Sequence, residues 1–145
     1  MSIVHLKPPP KFDPKFEIAV CFIEAGGKFL FLHRQVWDTS GDKWCLPGGG
    51  VHDDETPAQC VMRETREETS IDLSKEDLKF IKQVFVRYPE HDYINNEFYV
   101  KLRAQPEVKV NFEEHKDFRW VTLEEAMKLD LIRGGQEGLQ LFMEK

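Results

Sequence analysis

The chain is poor in cysteine, short of positive charge and free of long apolar runs, and each shortage excludes a class of protein. Its 145 residues hold three cysteines, Cys21, Cys45 and Cys60, with no Cys-x-x-Cys pair. An odd, widely spaced set builds neither a disulfide framework nor a zinc site, so buried, reduced thiols are expected. No apolar run approaches the roughly 20 residues that a membrane span needs. The first seven residues lack the apolar core of a secretory signal, so cytoplasmic residence without membrane contact is the expectation. Lys and Arg number 20 against 26 Asp and Glu, a net charge of −6, which argues against binding along a nucleic-acid backbone. That balance still admits a small phosphorylated partner, because a bound cation reverses the local field.

What is present is the composition of one folded domain. Hydrophobic residues make up 41% of the chain, with 11 Phe, 3 Trp and 3 Tyr, enough for a core rather than for disorder. Residues 1–14, where Pro8-Pro9-Pro10 favours polyproline II, read as an N-terminal extension, and residues 15–145 as a single domain without internal repeats. Strands are expected over 16–23 and 28–33 around an Ala25-Gly26-Gly27 turn. A polar loop over 37–43 follows, then a short strand over 44–46 closed by Pro47 and three glycines. Later strands are expected over 79–87, 97–103 and 118–121, the first two joined by a loop over 88–93. Thr122 and Glu125 match a capping box that opens a helix through about 131, and Gly134-Gly135 precede a last amphipathic helix ending at Lys145. Strands around a central helix, with helices at the end, give the α/β class: a sandwich on a mixed sheet.

The central helix carries the chemistry. Gly48-Gly49-Gly50 lead into it, Thr56 or Asp54 can cap it, and Pro57 suits its first turn. At about 100° per residue, Ala58, Val61, Met62, Thr65 and Thr69 share a packing face, and Glu64, Glu67 and Glu68 cluster roughly 100° away, at the surface of a cleft. Three carboxylates at i, i+3 and i+4 repel one another, each like-charged pair costing a few tenths of a kcal/mol in a bare helix. A divalent cation turns that repulsion into ligation, which points to hard-metal chemistry on an anionic substrate. His33, His52, His91 and His115 show no metal-ligand spacing.

Gly49, Glu55, Arg63-Glu64 and Glu67-Glu68, at their spacing within residues 49–71, resemble the signature of the Nudix hydrolase family. Six fixed residues at ordinary background frequency would recur by chance on the order of once in 10⁵ chains of this size. Leu46-Pro47-Gly48-Gly49 before the signature, and Arg119-Trp120-Val121 with Glu124-Glu125 after it, also resemble the family. Thr65 departs from the pattern where an aliphatic residue is usual, and Ser70 where a glycine is usual. Thr65 lies on the packing face, where its methyl stands in for part of an aliphatic side chain. Ser70 makes a left-handed helix end costlier by about 1 kcal/mol or less.

The resemblance implies a Nudix-like α/β/α sandwich with a central mixed sheet. It implies a hydrolase dependent on Mg²⁺, or on Mn²⁺, that cleaves a diphosphate linkage in a nucleoside diphosphate linked to another moiety. Activated water would attack phosphorus. By the same resemblance Glu64, Glu67 and Glu68 would ligate metal, with the Gly48 carbonyl as a further ligand, while Arg63 and Glu55 steady the loop and the carboxylates. The general base is either a glutamate of the signature or a residue on a later loop. In Glu113-Glu114-His115, Glu114 is the preferred candidate. Base stacking on Trp37, Trp44, Tyr88 or Tyr93 competes with ordinary packing, and the loops over 37–43 and 88–96 are where specificity is expected. Family members are often dimers, so a homodimer is compatible with the resemblance. The alternative reading is a noncatalytic Nudix-like nucleotide-binding or sensor domain. Retention of every signature carboxylate favours the enzyme.

Overall fold

Along residues 18–23 the side chains alternate between apolar layers. Ala19, Cys21 and Ile23 join one core cluster, Phe22 joins a second and Ile18 packs against a third. Alternation with both faces covered belongs to a strand at the centre of a layered domain. In the computed structural model, which describes residues 2–38 and 40–144, that strand is β2 (Pro14–Ala25). In chain order the elements are β1 (Val4–His5), β2, β3 (Lys28–Arg34), β4 (Trp44–Cys45), β5 (Gly48–Gly50), α1 (Pro57–Thr69), β6 (Lys79–Arg87), β7 (Asp92–Leu102), β8 (His115–Val121), α2 (Leu123–Ala126) and α3 (Gly135–Met143). The strands form one sheet in the order β1-β6-β7-β2-β3-β4, with β5 beside β2 and β8 beside β3. β2 and β7 run parallel and the other pairings are antiparallel, so the sheet is mixed, as expected.

Helices cover both faces. Cys60 and Val61 of α1 pack with Ala19, Cys21, Ile23, Leu30 and Leu32. Leu139 and Phe142 of α3 pack with Phe22, Phe29 and Phe31 on the other side, and the Phe22 and Phe142 rings stack with centroids 3.8 Å apart. The three cysteines are free and buried. No helix among the described residues is long and apolar enough to cross a membrane.

β2 divides the sheet. Its first half pairs with β5 through Ile18↔Gly50, Ala19↔Gly49 and Val20↔Gly48, whereas its far end pairs with β3 through Glu24↔Phe29 and Ala25↔Lys28. At the fork the Cys21 N–H donates to the Pro47 carbonyl at 3.0 Å. The glycine run, read as a closing turn, is thus a strand. A Cβ on Gly48 would lie 2.2 Å from the Ala19 carbonyl oxygen, so the lack of a side chain is what lets this segment join β2.

Other boundaries moved for tertiary reasons. The expected loop over 88–93 is a tight connection, and β7 begins at Asp92, because residues 92–96 pair with both β6 and β2. The capping box at Thr122 forms, but α2 ends at Ala126 rather than near 131. Beyond it the Asp130 carbonyl accepts the Trp44 N–H at 2.8 Å and the Ile132 N–H donates to the Trp44 carbonyl at 3.0 Å, so strand-like pairing with β4 replaces further helix. Within the N-terminal extension, β1 pairs with β6, and Glu137 Oε1 accepts the Ile3 and Val4 N–H groups at 3.1 Å each. Thr39 of the loop over 37–43, and Lys145 where the last helix was expected to end, lie outside the described residues.

Candidate functional site

The site starts from how α1 is held. Thr56 is the N-cap, its side chain accepting the Gln59 N–H while the Gln59 side chain accepts the Thr56 N–H. Pro57 follows in the first turn, where its missing N–H costs nothing. At the other end Ser70 adopts φ 66° and ψ 15°, the left-handed geometry usually given to glycine. Val61, Thr65 and Thr69 are fully buried, as their shared face predicts.

The glutamates do not all sit at the surface. Glu68 is only 4% exposed, the Glu64 side chain 14% and the Glu67 side chain 52%. Helix geometry explains the departure. Seven residues make almost two turns, so Glu68 lies about 20° from Val61 on the helical wheel, whereas Glu67 is about 120° away. The buried Glu68 carboxylate is held by the Gly48 N–H, which donates to Oε1 at 2.9 Å. Gly49 is needed for a different reason, since a Cβ there would lie 2.5 Å from Glu64 Cδ. Strand β5 therefore presses against the carboxylates with nothing in between.

Arg63 ties the rim together. Its Nε and Nη2 donate to the two oxygens of Glu55 at 3.1 and 2.7 Å, Nη1 donates to Glu64 at 3.0 Å and Glu67 at 3.2 Å, and Nη2 reaches the Gly50 carbonyl at 3.2 Å. The paired bonds from Arg63 hold the Glu55 carboxyl down to about 2, helped by the His52 N–H. This fork geometry is available to arginine and not to lysine.

A third carboxylate arrives from far along the chain. Oxygens of Glu64, Glu68 and Glu114 all lie within 4.8 Å of one another. The loop carrying Glu114 is drawn to the end of α1 by main-chain bonds, Lys109 N–H to the Thr69 carbonyl at 2.9 Å and Asn111 N–H to the Glu68 carbonyl at 3.3 Å. Asn111 also donates to Glu114 Oε2 at 3.2 Å, and Gln35 fastens the loop through the Glu114 and Phe112 carbonyls. Glu113 is exposed. Next to Glu114, buried His115 is pushed down to about 4, mainly by desolvation, and is therefore neutral at pH 7.

Of the residues singled out by sequence, Glu64, Glu68 and Glu114 converge. Gly48 meets them through its N–H, Arg63 sits at their rim, and Glu67 lies outside the group. Burial raises the Glu64 carboxyl above its ordinary range, and raises that of Glu68 well above it with the charges of Glu64 and Glu114 adding to the effect. An oxygen-only, negatively charged cluster with too little compensating charge fits a hard divalent cation. Asn111 and Gln35 escaped the sequence reading, since a lone Asn or Gln in a loop carries no signal of what it will fasten.

Comparison with known proteins places the chain by family and fold. A family model described as NUDIX domain matches residues 14–142. The CTP pyrophosphohydrolase of Escherichia coli is 28% identical over 130 residues, covering 88% of this chain and 90% of that protein. A nucleoside triphosphate pyrophosphatase/Nudix hydrolase fusion protein of Bifidobacterium longum is 27% identical over 103 residues, 71% of this chain but 21% of that longer protein. Among solved structures, the MutT protein from Methanosarcina mazei Go1 superposes with a TM-score of 0.78 at 28% identity, covering 91% of this chain and 95% of that one. The bifunctional NMN adenylyltransferase/ADP ribose pyrophosphatase from Francisella tularensis, solved with AMP and a Mn ion, gives 0.74 at 25% identity over 92% of this chain and 42% of that one.

Proposed function

The chain belongs to the Nudix family, and on that premise we propose that it is a metal-dependent hydrolase cleaving a diphosphate linkage in a nucleoside diphosphate derivative. The observation that carries this reading is the meeting of Glu64, Glu68 and Glu114 oxygens within 4.8 Å against a glycine strand that leaves them uncovered by side chains. Relatives named as pyrophosphatases, one of them solved with AMP and manganese, support it.

Glu64 and Glu68 would hold the metal, with Glu114 facing them and Glu67 at the outer rim. When bound, a divalent cation supplies charge neutralisation for the phosphate oxygens and a lowered pKa for water. The chain's own residues do the rest. Arg63 fixes Glu64 and Glu67 and locks Glu55 under the glycine strand, so the carboxylates are preorganised before substrate arrives. The Gly48 N–H holds Glu68 in one orientation. Glu114, kept in place by Asn111, is suited to accept the proton of the water that attacks phosphorus while the bridging P–O bond breaks.

The test is Glu68→Gln, which retains an oxygen for the Gly48 N–H and removes the charge. It is expected to melt within a few degrees of the parent and to lose at least about 100-fold in Mg²⁺-dependent release from nucleoside polyphosphates. Unchanged turnover would falsify the assignment.

A further inference from the structure

We infer that the cleft between the α3-facing side of the sheet and residues 131–139 is the heterocycle pocket, with Asn95 and Glu97 as specificity-determining acceptors for an edge that sets a ring N–H beside an amino group, such as that of guanine. This rests on the hydrolase reading above.

The cleft has a cavity volume of about 100 Å³, and its walls are mostly apolar, among them Ile18, Phe22, Phe31, Trp44, Val84 and Val86. That apolar lining suits a flat ring system. Of the polar side chains in the wall, Arg133 is paired with Glu90 and Tyr93 with Tyr88, whereas Asn95 and Glu97 lie two residues apart on β7 and therefore on one face of the strand. Asn95 Oδ1 and Glu97 Oε1 are both buried, and among the described residues neither has a hydrogen-bond partner. Glu97 is 3% exposed. Buried acceptors left unmatched are costly, and a matching pair in one cleft is explained when a ligand completes it.

Two unmatched acceptors on one wall of the cleft ask for two donors on one edge of the ligand. Guanine presents its ring N1–H next to its 2-amino group, and 2-amino-4-oxopteridines share that edge. Hypoxanthine lacks the amino group, adenine sets its amino group beside an acceptor, and uracil flanks one N–H with two carbonyls. Burial raises the Glu97 carboxyl to about 7, and a pair of incoming N–H donors favours its ionised, acceptor-only form. A short stretch of chain links the cleft to the carboxylate cluster on the other side of the sheet. Cys45 and Leu46 line the cleft, and two residues later the Gly48 N–H holds Glu68.

The experiment compares kcat/KM for GTP, ITP, ATP and neopterin triphosphate with Mg²⁺, and measures binding of GMP and IMP by calorimetry without metal. GTP is expected to exceed ITP and ATP at least about tenfold, with GMP binding tighter than IMP to a similar degree. In Glu97→Gln and in Asn95→Leu the GTP/ITP ratio falls several-fold, through KM rather than kcat. Neopterin triphosphate outrunning GTP would name a pteridine as the occupant, and the reverse a guanine nucleotide; either result supports the edge. Equal rates for GTP and ITP, or a ratio untouched in both variants, overturns the pocket while hydrolysis stands. GMP preference lost in the variants, in a protein that cleaves no nucleotide, leaves the pocket and removes the hydrolase reading.

Discussion

Glu97→Gln should make this protein more stable, by an amount that depends on pH. Glu97 is almost fully buried, and desolvation raises its carboxyl from the usual 4.5 to about 7. Lys82, opposite it on β6, pulls the other way, but its ammonium is directed to the Leu141 carbonyl at 3.4 Å. A carboxyl whose folded-state pKa exceeds its unfolded value holds its proton more tightly in the folded protein. Its contribution is therefore harmless below about pH 4.5, grows unfavourable as pH rises toward 7, and then levels off. The separation amounts to about 3 kcal/mol by pH 8 at 1.36 kcal/mol per unit. Glutamine mimics the protonated acid at every pH and removes that cost. Urea unfolding of parent and variant at pH 4.5 and pH 8 should give nearly equal stabilities at the lower pH and a variant more stable by about 3 kcal/mol at the higher. In melting temperature this corresponds to roughly 6–12 °C for a chain of this size. Parallel stability profiles for the two proteins would refute the reasoning, because they would mean the buried carboxylate is already compensated. A more stable variant that discriminates less between GTP and ITP would be a trade of stability against recognition.

Four further outcomes are expected from α1 and its glycine strand. Thr65 is fully buried, and its Oγ1 lacks a hydrogen-bond partner among the described residues, so Thr65→Val should raise stability by about 1 kcal/mol in thermal or urea unfolding. Ser70→Gly should add up to about 1 kcal/mol, since the residue already sits at φ 66°, and a melting temperature that falls would contradict the strain argument. Gly49→Ala should cut turnover at saturating Mg²⁺ at least about tenfold by forcing Glu64 aside. Gly50→Ala, whose Cβ would meet nothing within 4 Å, should cost much less.

The strands and the helix starts were legible where local chemistry decides them. The β6 bounds, the Thr56 and Thr122 caps and the packing face of α1 follow from periodicity and capping, which act over a few residues. Glu68 was misread as a surface group although its seven-residue spacing from Val61 was available. Asn95 and Asn96 fall in the loop expected over 88–96 and Glu97 at the first position of the expected strand, and only the pairing of β7 with two neighbours makes all three part of one inner strand.

The sequence by itself determined the reaction class suggested for this chain, because Gly49, Glu55, Arg63, Glu64, Glu67 and Glu68 lie within two dozen residues and helical spacing sets their relation. Tertiary structure alone decided which carboxylates meet and where a heterocycle can sit. Glu114 reaches Glu64 and Glu68 through main-chain bonds from its loop to the end of α1. Asn95 and Glu97 open onto a cleft whose walls come from β2, β3, β4, β6 and the segment before α3. Such contacts join residues far apart in the chain, and no local spacing encodes the loop closures that bring them together.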